Sequence, residues 1–271
     1  MTRWVVVRDD DANAFTPPAC LELLYGPALQ AGTPVSLAVI PAVTTGAVTA
    51  SGAPEGFLWG HEGVARLAPM GEAVELVGWL RERPLVEVVQ HGYCHEPFEL
   101  DSRDRADVAR RLDAGGHALR EAGLTPSPAF VAPYDRLSRV AFEEVGRRFA
   151  LVSTGWFEAG RVPAAWWPAY LRMRVARRAH WRTGGVTLLS HPGCLLSRDR
   201  PTAGMMDSVR AAVRARRLTV LVTHWWEYFR DGEPDQGLVA TLHEALDWLA
   251  REPDVRVVSF GEVAAGRVPL D

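Results

Sequence analysis

The feature that most restricts the fold of this chain is an alternation of short, nearly unbroken apolar runs with longer segments of helical spacing. Trp4–Val7, Val35–Ile40, Leu85–Val89, Ala129–Ala132, Leu151–Thr154, Val186–Leu189, Leu218–Val222 and Val255–Ser259 are the apolar runs. Runs this continuous suit strands buried on both faces, as in a parallel sheet whose crossovers are helices. Between them, Pro17–Gln30, Gly71–Arg83, Ser102–Ala122, Ser138–Phe149, Thr202–Arg216 and Gln236–Arg251 read as helices. Pro17 and Pro18 open the first, Ser102 is the expected cap of the third, and Gly123 stops it. Thr44–Gly60 reads as loop with at most a short helix, and Phe157–Arg182 has no clear period. About eight strands in this alternation predict an α/β fold, a distorted or incomplete TIM-like (β/α) barrel of about seven to eight strands. An open doubly wound sheet is the alternative. No glycine-rich dinucleotide fingerprint is present, since Gly115-Gly116, Gly155 and Gly184-Gly185 lack its spacing. With 271 residues and 48% hydrophobic content, one domain spanning residues 1–271 is expected.

Charge removes some functional classes. The net charge is −3, and the arginines of 103–120, 172–182 and 210–217 are interrupted by acids or alanines. They read as solvated helix faces and not as a phosphate-binding stripe, so no nucleic-acid partner is expected. No apolar run approaches the roughly 18 residues of a membrane span. Cys20, Cys94 and Cys194 have no paired spacing, and Met1–Arg8 enters a strand without a secretory pattern. Reduced thiols and a cytoplasmic location are the expectation.

The polar residues fall in one place. Asp9-Asp10-Asp11, His91 with His95, Tyr134-Asp135, His191 and His224 all follow the C-terminal ends of expected strands. In α/β folds those ends share a rim, and the rim holds the site. A helical turn through His91–His95 would put both imidazoles on one side. Imidazole is the commonest protein ligand for zinc and also takes cobalt, nickel or manganese, so a divalent metal, zinc first, is expected. A third ligand is sought in the Asp9–Asp11 run, where a neighbouring carboxylate outside the ligand set could act as general base. His224, followed by Trp225-Trp226, and His191 compete for the role of general acid; either alone is as readily structural. Trp225 and Trp226 cannot both point inward, and with Trp156 they offer aromatic faces suited to a sugar ring.

In order and placement these motifs resemble the polysaccharide deacetylase, or NodB-homology, family, from residue 4 to about 230. The resemblance implies a metal-dependent N-deacetylase on a distorted β/α barrel. It makes Asp10 the catalytic base and Asp11 a metal ligand, with a shift to Asp9/Asp10 as the alternative, and His91 and His95 the other ligands. Val131-Ala132-Pro133-Tyr134 is similar to the third motif, Arg-x-Pro-Tyr, and Leu221-Val222-Thr223-His224 to the last, Leu-x-x-His. The implied chemistry has the metal and the Tyr134 backbone N–H stabilise the oxyanion, while His224 protonates the departing amine. Two departures stand out. Val131 replaces the arginine that partners the base, leaving Arg8 or Arg136 to substitute. The fourth motif, Asp-x-x-Asp-Trp, is not evident, and Trp156 only echoes it. The implied substrate is an N-acetylated amino sugar, as a small sugar-containing metabolite or an oligosaccharide. A catalytically silent carbohydrate-binding protein and a metal-dependent hydrolase of other specificity are the competing expectations.

Overall fold

A computed structural model describes residues 1–49 and 51–270. Its strands in chain order are β1 (Arg3–Ala12), β2 (Val35–Val39), β3 (Ala42–Thr44), β4 (Leu67–Pro69), β5 (Val86–His91), β6 (Ala129–Val131), β7 (Leu151–Thr154), β8 (Trp181–Thr183), β9 (Val186–Ser190), β10 (Leu218–His224), β11 (Phe229–Arg230), β12 (Glu233–Pro234) and β13 (Val255–Val257). The helices are α1 (Pro18–Gln30), α2 (Val74–Arg81), α3 (Arg105–Glu121), α4 (Arg139–Arg148), α5 (Trp167–Val175), α6 (Met205–Ala215), α7 (Gln236–Arg251) and α8 (Phe260–Ala264).

The main sheet runs β10-β1-β2-β5-β6-β7-β9-β8, with β13 also paired to β1. Every pairing is parallel except that of the edge strand β8 with β9. From β1 to β9 the spatial order follows the chain, and β10 then returns to β1. That is the order of a barrel; a doubly wound sheet would reverse at a switch point. The circle has one seam. Among the described residues β9 and β10 share no ladder, and a single bridge from Cys194 to Val222 and a contact of His180 Nε2 with Leu218 O at 2.8 Å span the gap. The fold is a distorted (β/α) barrel.

Strand alternation divides the apolar residues. Val6, Ala38, Val89, Val131, Leu189 and Val220 fill the interior, while Val5, Val7, Leu37 and Val88 face α1, α2 and α7. The last apolar run departs from expectation. β13 ends at Val257, and Ser259 caps α8 through a capping box with Glu262. Phe260, fully buried, then seals the strands' N-terminal end, a burial worth about 1.5–3 kcal/mol.

Other elements differ locally. α3 is capped by Asp104, whose carboxylate accepts from Ala106 N and Asp107 N; Ser102 Oγ accepts from Asp104 N instead. Within 44–60 a 3-10 turn, Gly56–Leu58, sits in the connection between the antiparallel pair β3 and β4. The 157–182 stretch holds α5 and β8, and Gly184 and Gly185, both at positive φ, turn β8 back onto β9. The three cysteines are unpaired. Among the described residues no helix is long and apolar enough to cross a membrane.

Candidate metal centre and active site

A regular strand sends successive side chains to opposite faces, so three consecutive aspartates should not share one site. β1 breaks that rule at its end. Its register with β2 shifts between Asp9 and Ala12, and Asp11 adopts φ +70. Asn13 Nδ2 and Trp225 Nε1 both donate to the Asp11 carbonyl, at 2.8 and 3.3 Å, and hold this left-handed conformation. As a result Asp10 and Asp11 line the same cavity. Asp9 does not: Tyr25 OH and Trp225 N donate to its fully buried carboxylate. The Asp9/Asp10 alternative therefore fails on geometry.

The histidines also meet without the expected helical turn. β5 ends at His91, and the chain then loops through Gly92 at φ +64 and His95 at φ +58. Glu99 explains the loop's shape. Its carboxylate accepts from the backbone N–H groups of Tyr93, Cys94 and His95 at 2.9, 3.1 and 3.2 Å. Gly92 is required there, since a Cβ would lie 2.0 Å from Glu99 Oε1 and 2.6 Å from Pro133. Glu99 is a supporting residue that spacing in the sequence did not reveal.

The outcome is a buried triad. Asp11 Oδ1 lies 3.3 Å from His91 Nε2 and 3.2 Å from His95 Nε2, and the two Nε2 atoms are 3.2 Å apart. Ligand atoms around a tetrahedral zinc, each ~2.0–2.1 Å from the ion, are about 3.3 Å apart, so the triangle fits such an ion. The tautomer agrees as well. His91 Nδ1 sits 3.1 Å from the Val131 carbonyl, which can only accept, so Nδ1 carries the proton and the Nε2 lone pair faces the triad. Burial alone would raise the Asp11 carboxyl, but His95 and His91, with His224, hold it well below the usual carboxylate range. Trp226 Nε1 donates to Asp11 Oδ2 at 3.0 Å.

Around the triad runs a charged chain. Arg8 forms a two-pronged pair with Asp10, with Nε to Oδ1 at 2.7 Å, and its Nη2 lies 3.7 Å from Asp135 Oδ1. Arg8 also donates to Ser153 Oγ at 3.2 Å. Asp135 is opposed by burial, yet His191 and Arg8 hold its carboxyl below the ordinary value. Gly193 N donates to His191 Nδ1 at 3.1 Å, so His191 carries its proton on Nε2, 2.9 Å from Asp135 Oδ2. Both nitrogens of His191 are thus engaged. His224 is different: its Nε2 lies 4.0 Å from Asp11 Oδ2, and Nδ1 is in ion-pair contact with Glu227 at 2.9 Å, outside hydrogen-bond alignment. Burial disfavours its charge, but Cys194, Glu227, Asp11 and Asp10 outweigh that and raise its pKa well above the usual value.

The remaining expected residues separate. Tyr134, at φ +52, packs its ring at a tilt against His95 with centroids 4.5 Å apart and donates through its hydroxyl to Glu55 at 3.1 Å. Trp226 lines the cavity; Trp225, fully buried, clamps the β1 bulge and faces the core, because its indole N–H and backbone N–H are both committed to β1. Trp156 is 57% exposed and lines another cleft, its indole donating to Glu158. Arg136 is drawn away by Asp101, at 2.7 Å, and stacks on Phe98. Glu55, Phe57 and Cys194 line the cavity, whose volume is about 210 Å³, and nothing in their spacing marked them.

No protein-family model and no curated protein matches this chain. Solved structures do match. A candidate polysaccharide deacetylase from Mycobacterium smegmatis superposes with a TM-score of 0.59 at 19% identity, over 99% of this chain and 92% of the other. The fold is that of the polysaccharide deacetylases. A family 4 acetyl xylan esterase from Clostridium thermocellum, in complex with a cobalt ion, gives 0.54 at 11% identity, over 99% and 94%. A pseudoenzyme of carbohydrate esterase family 4 from Bacillus anthracis gives 0.56 at 8% identity, over 97% of this chain and 66% of the other. Structures on this fold therefore include an acetyl xylan esterase and a pseudoenzyme.

Proposed function

We propose that this protein is a metal-dependent amide hydrolase that removes an acetyl group from an N-acetylated amine, an amino sugar or sugar-containing metabolite being the leading class. One observation carries the reading: the Asp11–His91–His95 triangle has the size of a tetrahedral cation site and stands beside a carboxylate, Asp10, outside the triangle and paired with Arg8. Asp11, His91 and His95 would hold the ion, zinc first, with cobalt, nickel and manganese as alternatives. When bound, the ion would polarise the amide carbonyl and make water a better nucleophile.

The chain's own groups do the rest. Asp10, fixed in orientation by two Arg8 contacts, takes the proton from the attacking water. The Tyr134 backbone N–H donates to the developing oxyanion. His224, paired with Glu227, gives a proton to the departing amine nitrogen. His191 acts behind this set as a partner of Asp135, and Trp226 supplies an apolar face beside the carbonyl group. The neighbour from Clostridium thermocellum, an acetyl xylan esterase bound to cobalt, supports acetyl removal from carbohydrate with a divalent ion.

The second reading, a silent carbohydrate-binding protein, is favoured by Val131 and by the pseudoenzyme among the structural neighbours. Metal analysis with acetate release from a panel of N-acetylated sugars and amines separates the two. The hydrolase reading expects one equivalent of metal and acetate from at least one substrate. Asp10→Asn should keep the metal and lose activity by about 10²–10⁴-fold, while His91→Ala should lose the metal. Bound metal with no acetate from any substrate favours the silent reading, and full activity in Asp10→Asn removes the base assignment.

A further inference from the structure

The connection between β3 and β4 crosses the rim directly over the triad. In the sheet order β10-β1-β2-β5-β6, Asp11 ends β1 and His91 ends β5, while Trp226 follows β10 and Tyr134 follows β6. Residues 55–57 touch both outer positions. Glu55 accepts from Tyr134 OH at 3.1 Å, and Gly56 lies so close to Trp226 that a Cβ would stand 2.4 Å from its ring. Between them Phe57 meets the His95 ring edge-on, with centroids 4.8 Å apart. This is a roof with two supports, and the ligand cluster lies under it.

The roof is built in and does not resemble a loose loop. Phe57 and Leu58 are 1% and 0% exposed and belong to a small core with Ile40, Val43, Ala47 and Ala68. Buried Asn13 ties the roof to the site, since its Nδ2 donates to Phe57 O at 2.9 Å and to Asp11 O at 2.8 Å. Trp59 packs on Trp225 and Phe229 with centroids 5.1 and 5.5 Å away. Lifting residues 55–59 would expose this apolar surface and break the Asn13 tie. The cavity beneath, about 210 Å³, lies below the ~300–1,000 Å³ typical of pockets that enclose larger ligands. Asp10, Asp11, Asp135 and Glu55 line it, and Arg8 is the one arginine lining it among the described residues. Glu55, on its wall, offers carboxylate oxygens to a hydrogen-bond donor beside the reacting amide.

We infer that the roof makes this a blind pocket that takes an acylamino group end-on, from a small molecule or a chain end. Glu55 is its specificity-determining residue, accepting a hydroxyl or ammonium next to the acylated nitrogen. An interior unit of a polymer needs an open groove on both sides and is excluded. This rests on the hydrolase reading for the reacting group, but the roof itself can be tested apart from it. Amide hydrogen exchange should show Glu55, Leu58 and Trp59, whose N–H groups donate to Ala47 O, Glu55 O and Gly56 O, protected well beyond the exposed residues 60–63; rapid exchange at those three would overturn the inference whatever the activity. Acetate release is then measured on the zinc-loaded protein with N-acetylglucosamine and its β-1,4-linked hexamer, with products located by mass spectrometry. The monomer or a terminal unit of the hexamer should react, and acetyl loss from interior units would refute the end-on pocket. Glu55→Gln should raise KM by about tenfold or more with zinc content and kcat kept, the loss of one hydrogen bond to a charged acceptor. An unchanged KM removes Glu55 from the assignment. No acetate from either sugar, with the roof protected, counts against the hydrolase reading and leaves the roof standing.

Discussion

Replacing Glu99 by glutamine changes one atom of a side chain that touches neither substrate nor ion, yet it should loosen the metal centre. Glu99 Oε1 accepts from Tyr93 N and His95 N, and Oε2 accepts from Cys94 N. Glutamine keeps one oxygen and can serve two of these donors. Its NH₂ then faces the third N–H, donor against donor, in a site where Glu99 is 5% exposed. One orphaned buried donor costs about 1–3 kcal/mol. At ~2–4 °C per kcal/mol for a chain of this general size, Tm should fall by about 2–12 °C. The same bonds fix His95 at φ +58, a conformation that a non-glycine residue keeps only when its surroundings impose it. Freed of one bond, His95 should drift from the triangle, and zinc affinity should fall by about 10–100-fold, the usual effect of losing a group that orients a ligand. Affinity is read by competition with a chromogenic chelator. Tm is read in excess chelator, so that lost metal binding does not masquerade as lost fold stability. A variant with zinc affinity within about twofold of the parent and Tm within ~1 °C would refute the claim that Glu99 holds this loop.

Arg8→Met should keep the metal ligands but destabilise the fold by about 3–5 kcal/mol in chemical denaturation, because it strands the buried Asp10 carboxylate beside Asp135; a loss under ~1 kcal/mol would contradict the charge network. Glu227→Gln should lower kcat and move the alkaline limb of its pH profile to lower pH, since one of the carboxylates that raise the His224 pKa becomes neutral; an unmoved limb would assign that limb to another group. Acid should destabilise the protein through Glu144. Burial opposes its charge, but Arg148, Arg105 and Arg147 hold its carboxyl below the ordinary value, so its stabilisation is present at neutral pH and is lost as pH falls through about 4 and into the folded pKa. Calorimetry between pH 5 and 3 should show a smaller fall in Tm for Glu144→Gln than for the parent.

The barrel was legible because burial on both faces writes unbroken apolar runs into the chain. Val5, Val6 and Val7 face core on alternate sides, so the whole run is apolar. α8 was not legible: Val255–Ser259 runs straight into its cap, and a five-residue helix has too few turns to register a period. At the site, the strand-end positions of Asp10, Asp11, His91 and His224 could be read, but the conformations that join them could not. The triad needs Asp11 and His95 at positive φ, and neither residue type announces that. The supports are set by tertiary contact. Glu99 acts on backbone atoms four to six residues before it, Asn13 on a carbonyl 44 residues away, and Arg8 on Ser153, 145 residues on. That Trp225 and Trp226 cannot both point inward is legible in the sequence, and only the register with β1 decides which of them does.

The departures from the deacetylase motifs look less severe once the strand that supplies each charge is considered. Val131, at the place of the motif's arginine, sits in β6 and is fully buried in the barrel interior. Arg8 lies in β1, two residues before Asp10 and on the same side of the strand, and its side chain also lies within the interior, reaching Ser153 of β7. Arg8 therefore gives Asp10 its guanidinium from within the same strand. His224 likewise has its charged partner, Glu227, in the turn that follows it. Each partner thus lies two or three residues from the group it serves, where no separate motif in the sequence marks it.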